Sequence, residues 1–162
     1  MRSGARYAVS ASVSQPLTDL ITVFAAIAHN ERYAKSAVFN SRNNALRLNV
    51  DYAYSASDTI YFSGEYRRGQ VISSGHPSLG NLAVADVLVT DDAFPNGEYV
   101  TYRFNGSTVL TTLGYNIGFG PRHSLDLSWR RAQSTPTSQP NFSTPRLNYI
   151  ADQYSIIYLV RF

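Results

Sequence analysis

Along most of this chain the side chains change character at every second residue, and that period decides what it can fold into. In "ALRLNVDYAYSA", Leu46, Leu48, Val50, Tyr52 and Tyr54 alternate with Arg47, Asn49, Asp51, Ala53 and Ser55. Successive side chains of a β-strand point to opposite faces, so this pattern describes a strand with one apolar and one polar face. After the small turn Ala56-Ser57-Asp58, "TIYFSGEYRRG" returns with Ile60, Phe62, Gly64 and Tyr66 opposite Tyr61, Ser63, Glu65 and Arg67. The two segments read as a hairpin.

The design repeats. Val109, Leu113, Tyr115, Ile117 and Phe119 form one face of "TVLTTLGYNIGFG", and the turn "GPRHS" leads into "SLDLSWRRAQ". There Leu125, Leu127 and Trp129 oppose Asp126, Ser128 and Arg130. "RYAVSASVS" alternates Tyr7, Val9, Ala11 and Val13 with Arg6, Ala8, Ser10 and Ser12. "LITVFAAIAHNER" reads as a strand whose two faces are not distinguished, and the last strand is "QYSIIYLVRF". Helical periodicity is nearly absent. Short connections (15–19, 56–58, 120–123) alternate with long ones (about 33–43, 69–97 and 134–146). The expectation is a single all-β domain over residues 1–162: an antiparallel up-and-down sheet of about seven or eight strands.

Period two does not say which face meets solvent. In a soluble barrel or sandwich the apolar face is internal; in a transmembrane barrel it meets lipid and the lumen is polar. Three features favour the second. The polar faces mix small residues with opposed charges (Arg47, Asp51, Glu65, Arg67, Asp126 and Arg130), as a lumen would, and 13 of the 14 basic residues are arginine. Arginine offers a planar fork to carboxylates. Aromatic residues gather toward strand ends on the apolar face: Tyr52, Tyr54, Phe62, Tyr115, Phe119, Tyr158 and Phe162 at the short-turn end, Tyr66 and Trp129 farther up. Arg68 and Arg131, two residues beyond the upper pair, are placed to reach lipid headgroups. Such rows read as two interfacial girdles. Finally, loops are short at one end and long at the other. A soluble ligand-binding barrel is the alternative.

The ending Tyr154-x-Ile156-x-Tyr158-x-Val160-x-Phe162 resembles the C-terminal signature of bacterial outer-membrane β-barrel proteins. The resemblance implies an outer-membrane location, contact with lipid, and reading of Phe162, Val160 and Tyr158 by the barrel-assembly machinery. Ile157 and Leu159 depart from the pattern, being apolar on the supposed lumenal side. Counting back from a periplasmic end gives seven strands, whereas single-chain bacterial barrels have an even number. A hidden strand (within Leu82–Val89, or at a bulge near Asn105-Gly106), further strands upstream, or an oligomeric barrel would each restore parity. No signal peptide is visible, so the upstream explanation is favoured.

Other classes are weakened by composition. Net charge is +3, but the arginines are scattered, so no nucleic-acid footprint is expected. There is no cysteine, and the acidic stretch Asp86, Asp91, Asp92, Glu98 matches no calcium loop, so neither a metal nor a cofactor is expected. That stretch reads as a solvated loop, or as one folded into the lumen against the arginines. His76, with Ser73, Ser74 and Ser78 nearby, is the one candidate for a hydrolytic triad; catalysis is not expected. The expected role is a passive channel, transport pore or membrane anchor. A surface adhesion or assembly protein using the long loops is the alternative, followed by an outer-membrane hydrolase.

Overall fold

The structure is a computed structural model that describes residues 4–90, 98–138 and 147–161. The described chain is all-β, with one sheet of antiparallel strands: β1 (Gly4–Pro16), β2 (Ile21–Ala34), β3 (Ser41–Ala53), β4 (Asp58–Gly75), β5 (Val87–Thr90), β6 (Val100–Gly118), β7 (His123–Pro136) and β8 (Tyr149–Val160). The sheet order is β1-β2-β3-β4-β6-β7-β8, each strand beside its predecessor in the path, with the short β5 paired to the upper end of β6. This is the up-and-down sheet that the alternation predicts. It is not closed: β1 and β8 are free edges. Because seven long strands alternate in direction, β1 and β8 run the same way, both from the long-loop end to the short-turn end.

Three sequence expectations need correction. The stretch 69–97 is not simply a loop, since β4 continues to Gly75 and a six-residue helix α1 (Leu79–Val84) precedes β5. Ser78 caps that helix, its hydroxyl accepting from the Asn81 amide at 3.2 Å. No 3.6-residue pattern announces one and a half turns. The suspected hidden strand is real but shorter, Val87–Thr90, and does not extend the seven-strand path. No bulge interrupts the long strand at Asn105-Gly106: β6 is continuous, with Gln70 opposite Asn105 and Gly69 opposite Gly106. Gly69 is needed there, because its φ of +148° is disfavoured for other residues and a Cβ would strike the Arg42 carbonyl.

Among the described residues the buried hydrophobic ones are few: Val38, Val84, Tyr102 and Phe104. Tyr102 and Phe104 lie on the polar-face phase of β6, beyond the upper end of β7, where Val84 of α1, Leu147, Val71 and Tyr149 pack against them. Tyr149 donates to Asn81 Oδ1 at 2.9 Å, tying β8 to the helix. A small apolar cap therefore closes over the long-loop end, and the rest of the sheet has no such core. Among the described residues no helix is long and apolar enough to cross a membrane, which has no bearing on strands.

Candidate functional site: the two faces of the sheet

The register aligns the alternation across all seven strands. On one side, Arg47 stands opposite Glu65, Asp51 opposite Tyr61, and Asn116 opposite Asp126; Arg67 and Arg130 share this face. All six charged residues singled out in the sequence are thus brought to one surface. Glu65 is its most buried charge, 7% exposed. Its Oε2 accepts from Arg47 Nε at 2.8 Å and Nη2 at 2.5 Å, and its Oε1 pairs with Arg67. Nearer the short-turn end, Tyr61 lays its ring over Gly114 and donates to Asp126 Oδ1 at 2.9 Å. A Cβ at Gly114 would occupy the space of that ring.

This face also carries residues of β2 whose side the sequence does not settle, together with the polar phase of β1 that the alternation indicates. Thr22, Phe24, Ala26, Ala28, Asn30 and Arg32 of β2 lie on it, as do Arg6, Ser10 and Ser12 of β1. Alanine and phenylalanine on the polar phase of β2 hide its alternation, and only Asn30 and Arg32 betray it. Together β1 to β4 line a trough of about 710 Å³.

The opposite face is apolar and uncovered. Val9 is 74% exposed, Tyr154 79% and Ile156 76%, and Ile27, Leu46, Leu48, Phe62, Tyr66 and Leu113 are exposed as well. Of the girdle aromatics, Tyr52, Tyr54, Phe62, Tyr66 and Phe119 are exposed here, with Tyr115 and Trp129 half-buried. The apolar stretch runs from Tyr7 to Val13 on β1, Leu46 to Tyr52 on β3, Val109 to Ile117 on β6 and Tyr154 to Val160 on β8. One hydrogen-bonded row passes through Ala11, Ile27, Leu46, Tyr66, Val109, Gln133 and Ile150. Relative to that row, the centre of the band slides toward the short turns by roughly one residue per strand. An advance of about 3.3 Å per step of about 4.8 Å is a slope of about 35°. The band is oblique to the rows and extends about 20–25 Å along the strands.

Its upper border is polar. His29 Nδ1 is 2.6 Å from Asn44 Oδ1, Arg42 pairs with Glu31 at 2.5 Å, and Tyr33 donates to Glu31 at 2.7 Å. Arg131 differs from its expected role. Instead of projecting freely it forms two bonds to Asp152, at 2.9 and 3.0 Å, lies over the Trp129 ring, and shares that carboxylate with Trp129 Nε1 at 3.0 Å. Asp152 had a visible signal, since it falls on the apolar phase of β8, two residues before Tyr154. Arg68 forms no ion pair among the described residues.

The terminal pattern Tyr154, Ile156, Tyr158 and Val160 lies on the apolar side of the free edge β8, with Tyr158 OH 2.8 Å from His123 Nδ1. Phe162 lies outside the described residues. Ile157 and Leu159 are exposed on the polar side, paired in register with Asp126 and Ser124. In the long loops, His76 stacks on Tyr99 with centroids 4.2 Å apart, Ser78 is spent on the helix cap, and Asp86 accepts from Asn105 at 2.7 Å. Asp86 therefore does not reach the arginines of the polar face; Asp91 and Asp92 lie outside the described residues. Among the described residues no three His, Cys, Asp or Glu side chains gather as a metal site. Comparison with protein-family models, with curated proteins and with solved structures finds no match to this chain.

Proposed function

We infer that this chain is wall of a transmembrane β-barrel in a bacterial outer membrane, serving as a passive pore or anchor. The observation that carries the reading is the inversion of its faces: charges and amides line the trough while Val, Leu, Ile, Phe and Tyr stand uncovered on the other side. Seven strands and the band's height give an apolar area on the order of 700 Å² in projection, more than monomeric soluble proteins usually leave exposed. The slope of the band agrees with lipid as its neighbour, because strands of membrane barrels tilt by about 35–45°.

In lipid the free edges β1 and β8 must be paired, since each unsatisfied backbone group costs several kcal/mol there. Both run in one direction, so antiparallel closure takes an odd number of further strands between them. Strands elsewhere in a longer polypeptide supply that directly. Copies of this chain facing the same way would meet in a parallel β8–β1 pair. The exposed Tyr154, Ile156, Tyr158 and Val160 on β8 fit the role of a handle for the assembly machinery.

A second reading, surface binding or adhesion through the long-loop end, is favoured by Leu79 and Leu82 on α1 and Leu88 on β5, all exposed on a structured cap. Planar-bilayer recording of the protein purified from outer membranes separates the pore from the anchor and adhesion roles. Stepwise conductance supports a pore, a silent but membrane-inserted protein supports the anchor or adhesion role, and recovery only in the soluble fraction removes both.

A further inference from the structure

The trough holds more positive charge than its own ion pairs consume. Four arginines line it, Arg6, Arg32, Arg47 and Arg67, and Glu65 is the carboxylate turned toward them. Glu65 spends both oxygens on Arg47 and Arg67, so it acts as a clamp that fixes two guanidinium forks. Each guanidinium has five donors. Both side chains remain about half exposed, 48% and 46%, with donors left over toward the trough.

The second pair is odder. Arg6 and Arg32 stand directly opposite each other on neighbouring strands, an arrangement that like charges disfavour. Arg6 Nη2 reaches Asn30 Oδ1 at 3.3 Å, and neither arginine forms an ion pair among the described residues. The other acids of the region do not relieve them. Glu31 also borders the trough, but its carboxylate is taken by Arg42, Tyr33 and His29 on the opposite face. Asp51 lies four residues beyond Arg47 toward the short turns, about 13 Å along the strand, and Asp126 is engaged by Tyr61.

We propose that the trough is an oxyanion-binding site with two stations, Arg47–Arg67 and Arg6–Arg32, taking small solutes that carry carboxylate or phosphate groups. The planar fork of arginine matches the edge of such groups better than an ammonium does. The stations lie about 15 Å apart along the strands, with Asn30 and Asn43 between them. One small oxyanion therefore occupies one station at a time. Glu65 is a positioning residue and does not touch the solute. Delivery of the solute rests on the pore reading; binding does not.

The test is calorimetric titration of inorganic phosphate, and separately of citrate, into the full chain folded in detergent micelles. Saturable heat is expected that weakens as sodium chloride is raised, because partly exposed charges are screened. Arg6→Ser with Arg32→Ser, and independently Arg47→Ser with Arg67→Ser, should each lower affinity about tenfold at their station. Should the Arg47/Arg67 variant fail to fold because Glu65 is left buried and unpaired, adding Glu65→Gln removes that penalty, and the Arg6/Arg32 variant stands without it. A preference for phosphate narrows the class to phosphate-bearing solutes, a preference for citrate to carboxylates. No saturable heat with either anion, or heat unchanged in both double variants, overturns the proposal. Bilayer recording of the same preparation keeps the two readings apart: binding without conductance retains the site and removes the pore, and conductance without binding does the reverse.

Discussion

Strand β6 obeys opposite rules in its two halves. From Val109 to Ile117 its hydrophobic side chains, Leu110 excepted, occupy the face turned away from the trough, with Val109 and Leu113 uncovered. Above Gly106 the large hydrophobic residues move to the other phase, where Tyr102 and Phe104 are buried beneath α1 and Leu147. The backbone phase does not slip between the halves, because the pairing with β4 is unbroken from Asp58–Ile117 to Gly75–Val100. What changes is the neighbour. The cap encloses its apolar groups within the protein, as a soluble core does; the belt offers them to something outside it. One strand thus reports two surroundings, and the border falls near the paired glycines Gly69 and Gly106.

That contrast can be broken from either side. The largest effect belongs to the cap: Phe104→Ala should cost about 3–5 kcal/mol locally, seen as protease cutting in 76–90 while the belt stays protected. Loss of the belt along with the cap would mean that the two halves are one core. Next, Leu113→Arg should reduce stability in bilayers by about 2–4 kcal/mol, measured by refolding into vesicles; a neutral outcome would mean that the belt faces water. Gly69→Ala should cost about 1–3 kcal/mol, from a strained φ and a collision with the Arg42 carbonyl. Its signature is faster amide exchange where cap meets belt, and unchanged exchange there would remove the glycine border. Smallest is Tyr61→Phe, about 1 kcal/mol for the bond to Asp126, read from a denaturation midpoint. A loss of several kcal/mol would instead make the Tyr61–Asp126 contact a main brace of the polar face.

How much was legible follows the same division. Wherever each phase keeps a single chemistry, as in Leu46–Tyr54 against Arg47–Asp51, strand and faces are evident from the sequence. The six charges of the polar face come together because the alternation carries every one of them to the same side. In β2 the pattern is blurred by Phe24, Ala26 and Ala28 on the polar phase, so Arg32, and with it the Arg6–Arg32 pair, is found only through the register. The cap was missed for another reason. Its helix is too short to show a period, and its core assembles Val71, Val84, Phe104 and Tyr149 from four segments far apart in the chain. The free edges are likewise a property of the whole sheet, and strand count hints at them only through parity.

The central claim is that the exposed apolar face meets lipid, and the single tryptophan gives the most direct test. Trp129 lies on that face near its upper border, against Arg131 and Asp152. The full chain should be reconstituted in vesicles whose acyl chains carry bromine close to the headgroup, and Trp129 fluorescence compared with that in unbrominated lipid. The account predicts strong quenching by the brominated chains and little by aqueous iodide. Quenching by iodide alone, with brominated and plain lipid indistinguishable, would place Trp129 in water and contradict it.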